Sequence, residues 1–204
     1  MNPNKALWEK GDFTKIADLM RESGESVVRS LGITRNLRVL DLGCGDGTTA
    51  VPLATQGAEV VGIDIAESLV AAGNKRAGEM GLHRLTFQEG DACNLQGIDD
   101  HSFDLTLSFF GAMFAPKPLD VAREMVRVTK RGGRIVMGNW IPNDPTFVSQ
   151  ILRLSSSFTL HLRKVSQSDD LGGRCSCHRA FRRRWNFQGQ HFHYQGHVLL
   201  HVTQ

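Results

Sequence analysis

The chain is poor in several residue types that would define its class. Its 204 residues include four cysteines, one tyrosine and six prolines. Cys44, Cys93, Cys175 and Cys177 are too few to form a disulfide framework in a domain this size. No apolar run approaches the ~18 residues of a membrane span. The N-terminus, Met1-Asn-Pro-Asn-Lys-Ala-Leu-Trp-Glu-Lys10, places charges where a secretory leader needs an unbroken apolar stretch. There is no solenoid-length repeat and no low-complexity linker. The expectation is therefore a cytoplasmic protein with no membrane span. Hydrophobic residues make up 41% of the chain, enough to bury one core.

Charge is unevenly spread. From Leu160 onward there are seven Lys/Arg against two Asp/Glu, together with six of the eight histidines. The net charge of +3 thus combines a mildly acidic body with a basic tail. A break this abrupt marks a boundary near residue 160.

Up to that boundary the pattern alternates. Ile16, Ala17, Met20, Val27, Val28 and Leu31 recur at helical spacing, with Gly24 loosening the middle of the helix. Leu37–Leu42 reads as a buried strand running into the glycine turn Gly43-Cys-Gly-Asp-Gly47. A helix over about 48–57 follows, then strand Glu59–Ile63, a helix over 67–80, and strands from Leu85 and Phe103. A helix over 118–130 precedes a Gly132-Gly133 turn and strand Arg134–Gly138, and a further helix is expected over 146–156. Strands alternating with helices predict an α/β fold: a doubly wound, mostly parallel sheet with helices on both faces.

Such sheets bind ligands at the carboxyl ends of their strands. The first strand ends in Asp41-Leu-Gly-Cys-Gly-Asp-Gly47, one residue short of the G-x-G-x-x-G dinucleotide fingerprint. Glycines let a backbone approach a ligand closely. Asp41 beside them disfavours a diphosphate and favours a ligand carrying positive charge.

In this setting Val39–Gly47 resembles the first motif of class I S-adenosylmethionine-dependent methyltransferases, in their small-molecule branch. Val61-Gly-Ile-Asp-Ile65 resembles the second motif, Gly90-Asp-Ala92 the third, and Phe103–Leu107 with Phe114-Ala-Pro116 the fourth strand and its loop. Trp8–Phe13 is similar to an N-terminal segment that closes over the cofactor. The resemblance covers residues 6–159 and implies a Rossmann-like methyltransferase fold with S-adenosyl-L-methionine as cofactor. It implies contacts from Asp41, Gly43, Cys44 and Gly45, ribose binding by Asp64 beside Ile65, and adenine contacts by Asp91 and Ala92. Phe109 would be a wall, with Phe110, Met113 and Phe114 as further aromatic or apolar candidates. It divides the chain into a helical cap (1–34), a cofactor-binding α/β domain (35–159) and an atypical tail (160–204).

From the residues alone, Asp64 could equally cap the next helix, Asp91 could be a turn residue, and Cys44 and Cys93 read as small packing side chains. The implied reaction is methyl transfer to a small organic acceptor by in-line displacement. Two alternatives stand beside it, a cofactor-binding protein without turnover and an NAD-dependent oxidoreductase. Asp12, His83, Asp144 and the tail histidines were weighed as a general base, and none is singled out. The chain lacks the Asn/Asp-Pro-Pro-Tyr type of motif after strand four, which speaks against a nucleic-acid substrate.

In the tail, Cys175-Ser-Cys-His178 could suggest a metal and Arg182-Arg-Arg-Trp185 nucleic acid, but neither spacing is specific and no metal is expected. A shifted reading frame accounts for the tail better. Back-translation in one other frame permits Ser-Pro-Met-Thr-Trp-Gly-Val over roughly Gln167–Arg174 and Val-Ile-Glu-Arg-Phe-Gly over roughly Cys177–Arg183. Both are similar to the family's continuation. On this reading the C-terminal strands are missing or altered, leaving the fifth strand or its neighbour as an exposed edge and an apolar face uncovered, which favours low stability or a homodimer.

Overall fold

The computed structural model describes residues 2, 4–139, 150 and 198–201, the last four as backbone only. The tail motifs, the shifted-frame segments, Asp144 and the helix expected over 146–156 (Gln150 excepted) lie outside the described residues. In chain order the elements are α1 (Lys5–Trp8), α2 (Thr14–Ser30), β1 (Arg38–Leu42), α3 (Ala50–Thr55), β2 (Glu59–Asp64), α4 (Glu67–Glu79), β3 (Leu85–Glu89), β4 (Phe103–Phe109), α5 (Pro118–Val128), β5 (Thr129–Gly138) and β6 (Val198–His201).

The strand order is β3-β2-β1-β4-β5-β6, parallel through β5, with β6 antiparallel. Strands covered on both faces read as continuous apolar runs. β1 shows this, with four of its five residues buried. Alternate residues then feed two cores. Val39, Leu105, Leu107 and Val136 meet Val28, Leu53 and Ala77 from α2, α3 and α4. Leu40, Leu42, Ile135 and Met137 meet Val121, Ala122, Met125 and Val128 of α5. The α5 residues form one stripe at helical spacing, and Pro118 sits in the first turn, where its missing N–H costs nothing.

Three features depart from the sequence reading. Gly132 and Gly133 lie inside β5, not in a turn before it, where the β4–β5 pairing shifts register between Phe103 and Leu105. Beside β5 lies a strand that the sequence left unassigned, β6, with Arg134 opposite His201 and Met137 opposite Val198. The Val-Leu-Leu run of β6 is short and set in polar sequence, so pattern alone did not mark it.

Third, Gly24 is a contact point, not a weak spot in α2. A Cβ there would lie 2.5 Å from the carbonyl oxygen of Thr48. The glycine therefore allows α2 to lie directly on the turn after β1. A similar economy surrounds Phe87, which is buried. Cβ atoms at Gly47, Gly62 and Gly73 would each fall within 2.9 Å of its ring, so turn, strand and helix all make room for one side chain.

In an open helix Gly→Ala stabilises by about 1 kcal/mol. Gly24→Ala should instead destabilise this protein by about 1–3 kcal/mol through overpacking against backbone, read as a lower urea midpoint at unchanged slope.

Candidate functional site

The turn after β1 is built by hydrogen bonds to the end of β2. The Gly43 and Cys44 amides donate to the Ile63 carbonyl at 2.8 and 3.3 Å, and the Gly45 amide donates to Asp64 Oδ2 at 2.8 Å. Gly43, Gly45 and Gly47 have φ of +65°, +56° and +97°, a region where side chains are strained. The first two differ in what surrounds them. A Cβ on Gly43 would lie 2.6 Å from the Gly111 Cα, because the loop after β4 presses on it there. Among the described residues, a Cβ on Gly45 would meet nothing within 4 Å. Gly45 is thus the open position of the turn, where bare backbone faces free space.

Ser108 fixes the loop on the other side. Its buried hydroxyl donates to the Leu42 carbonyl at 2.6 Å and accepts the Ala112 amide at 2.9 Å, tying β4 to the end of β1. Phe110 follows with φ of +57°, a costly conformation for an aromatic residue that the tie and its amide bond to Gly138 impose.

Two carboxylates sit beneath the turn. Asp41 is fully buried; Thr49 donates its hydroxyl to Oδ2, while Oδ1 has no hydrogen-bond partner among the described residues. Burial, reinforced by the nearby Asp64 charge, pushes its carboxyl up to about 7 against the Thr49 bond. Asp64 is 8% exposed. Besides the Gly45 amide it accepts the Ala66 amide at 3.0 Å, ordering the entry to α4, although the N-cap itself is Ala66 and carries no side-chain cap bond. Burial raises its carboxyl, and the backbone donors partly offset this. Even with backbone amides on it, the carboxylate keeps capacity for a further donor.

The remaining predicted residues fall into place unequally. Ile65, half-buried, follows Asp64. Asp91 and Ala92 lie just past the end of β3, which pairs with β2. The Asp91 side chain accepts the Cys93 amide at 2.9 Å, closing its own turn. Cys44 turns its sulfur into the core, 2.8 Å from where a Gly62 Cβ would stand, and burial holds its thiol well above the usual range. It is a packing residue whose backbone alone belongs to the turn. Phe109 ends β4, its ring packed over Gly138 of the neighbouring β5.

The N-terminal segment spans the strand ends. Lys5 pairs with Glu89 at the end of β3, and Asn4 donates to the Phe114 carbonyl at 2.8 Å. Trp8 packs its ring against Phe13 at 5.0 Å and Phe114 at 5.2 Å. Aromatic surface therefore covers the mouth between β3 and the loop after β4. Neither described base candidate suits that role. Asp12 accepts the Thr14 hydroxyl, which lowers its pKa, and His83 is exposed before β3, at the opposite end of the strand. Ser108, Thr49 and Arg21 (bonded to Asp46) carry no spacing signal in the sequence, because each acts through a partner elsewhere in the chain.

The donor set fits a ligand that brings hydroxyl donors and positive charge to the Gly45 side of the turn: an open backbone cradle, a buried carboxylate with spare acceptors, and a second with an unsatisfied oxygen. A diphosphate would face both carboxylates.

Comparison with known proteins agrees. Residues 40–137 match the model of the methyltransferase domain family. An uncharacterized protein of Mycobacterium tuberculosis, Rv1405c, is 37% identical over 138 residues, covering 67% of this chain and 50% of that protein. The uncharacterized methyltransferase YcgJ of Bacillus subtilis is 30% identical over 169 residues, covering 77% of this chain and 66% of its own. The YcgJ crystal structure superposes with a TM-score of 0.56 at 28% identity, over 69% of this chain and 57% of that one. A SAM-dependent methyltransferase from Aquifex aeolicus shares the fold, with a TM-score of 0.59 at 21% identity over 74% of this chain and 87% of that one. The chain spans about half the length of its mycobacterial relative. Among the described residues no helix is long and apolar enough to cross a membrane, and no group of side chains is arranged to hold a metal ion.

The two glycines give a separable test. Gly45→Ala should cost about 1–2 kcal/mol, the left-handed backbone penalty alone. Gly43→Ala adds a clash with Gly111 and should cost clearly more, read from urea midpoints of the two variants.

Proposed function

The α/β core of this chain belongs to the methyltransferase-domain family, and from that premise we propose that the protein transfers a methyl group from S-adenosyl-L-methionine to a small organic acceptor. The observation that carries this reading is the open Gly45 backbone set against the buried Asp64 carboxylate. Asp64 would take the ribose hydroxyls, with Ile65 beside it. Gly43 and Gly45 would underlie the amino-acid portion, and Asp91 with the Ala92 amide would meet the adenine edge. When bound, the cofactor supplies an already activated methyl on a sulfonium. The protein's own task is then positioning and exclusion of water, which suits the rigid turn and the aromatic cover of Trp8, Phe13 and Phe114. Phe109, on the β5 side, belongs with the acceptor wall more than with the adenine site.

A second reading, cofactor binding without turnover, is supported by the placement of Asp12 and His83, neither of which suits a general base at the site. An NAD-dependent oxidoreductase is disfavoured, since Thr48 stands where the dinucleotide fingerprint has its third glycine. Calorimetric titration with S-adenosylhomocysteine, with NADH as control, separates the readings. Saturable binding of the former alone is expected, and NADH binding would overturn the assignment. Methyl transfer to a panel of small acceptors then distinguishes turnover from binding alone.

Asp41 adds a pH signature. Its carboxyl is raised to about 7, so below that pH it is protonated in the ligand-free fold. Its contribution to stability is therefore present below the unfolded value of about 4 and is lost as pH rises through about 7. A cationic ligand favours the ionised form, so binding should release a proton. Affinity for S-adenosyl-L-methionine should rise up to about tenfold per pH unit below 7 and flatten above it. Asp41→Asn should abolish that slope.

A further inference from the structure

The outer side of the glycine turn is gripped by two guanidinium groups from a groove of about 310 Å³ that Arg21 and Arg76 help to line. Arg21, on α2, donates Nη1 to Asp46 Oδ1 at 2.8 Å and to Thr48 Oγ1 at 3.2 Å, while its Nη2 closes on the other Asp46 oxygen. Asp18, one turn earlier, accepts the same Nη2 at 3.0 Å. Arg76, on α4, donates to the Gly47 carbonyl at 3.3 Å and to the Asp46 carbonyl at 3.5 Å. Asp46 is 4% exposed, so the Arg21 pair is shielded from solvent on its acidic side. Shielded, bidentate arginine–carboxylate pairs fix geometry in a way surface pairs do not.

The placement of this pair matters more than its strength. Three residues beyond Arg21, Gly24 rests α2 on the Thr48 carbonyl. Immediately before α2, Phe13 packs on Trp8 at the end of α1, and Trp8 reaches Phe114 in the loop after β4. One helix thus carries the grip on the turn at its middle and the aromatic cover at its start.

We propose that Arg21 is a positioning residue for the cofactor. Through Asp46 it sets the backbone of Gly45–Gly47 and holds α2, with its aromatic cover, in register with the turn. This rests on the cofactor reading above. Arg21 touches no reacting atom; it acts through the turn and the cover.

Removing Arg21 alone would strand a buried carboxylate, so the test uses Arg21→Met together with Asp46→Asn. The double variant should keep a cooperative melt but bind S-adenosylhomocysteine at least tenfold more weakly. Arg29→Met, which breaks only the exposed Arg29–Glu25 pair at 3.6 Å on the same helix, should leave affinity unchanged. A lowered melting temperature with affinity within twofold of the parent would show a merely structural role and overturn the proposal. Should the double variant not fold, Arg21→Lys decides. Lysine keeps the charge but cannot span both Asp46 oxygens and Thr48, so several-fold weaker binding is expected, and unchanged affinity overturns the proposal.

Hydrogen exchange separates this proposal from the cofactor reading. In the ligand-free proteins, amides of Cys44–Thr49 should exchange faster in the variant than in the parent, while those of β4 do not. A parent that binds no S-adenosylhomocysteine contradicts the cofactor assignment. Equal exchange over Cys44–Thr49 contradicts the positioning role.

Discussion

The bond from the Gly45 amide to the Asp64 carboxylate is the constraint on which the site depends. It joins the turn after β1 to the end of β2 at the point where the backbone is most open. The Gly43 and Cys44 amides, both on the Ile63 carbonyl, bring the strands together, but only the Asp64 bond leaves a charged acceptor beside free space. A turn fixed in this way adds little ordering cost to binding, because its backbone is already in the required conformation. The neighbouring elements reinforce it: Gly111 presses from β4, Phe87 fills the space beneath Gly47, and Arg21 with Arg76 hold the outside.

The two buried acids have opposite roles within this frame. Asp64 is satisfied by backbone donors and retains acceptor capacity, whereas Asp41 has one oxygen without a partner among the described residues and a carboxyl pushed up to about 7. An unsatisfied buried oxygen costs stability. The ligand-free fold carries that cost at the position where a cationic ligand would relieve it. The sequence marks Asp41 as a carboxylate that favours a cation; its burial adds that its charge depends on pH and ligand.

Much of this was legible in the sequence. Short apolar runs ending in glycines or acids marked the strands, and Asp41, Gly43, Gly45 and Asp64 meet in one turn because equivalent ends of parallel neighbours must lie side by side. What could not be read depends on contacts distant in sequence. Gly24 looked like a helix weakness because nothing local tells a glycine that loosens from one that lets two backbones touch. Gly132-Gly133 looked like a turn because a bulged strand tolerates the same residues. The service of Gly47, Gly62 and Gly73 to one Phe87 ring, and the Arg21–Asp46 pair across 25 positions, have no periodicity at all.

The central claim is that the turn at Gly45 and Asp64 is a preformed cofactor site. Amide chemical-shift mapping by NMR during titration with S-adenosylhomocysteine tests it most directly. The account predicts saturable shifts concentrated at Gly43, Gly45, Ile65 and Ala92, with the β5 amides little changed. Saturable shifts confined to other surfaces, or none at these positions, would contradict it.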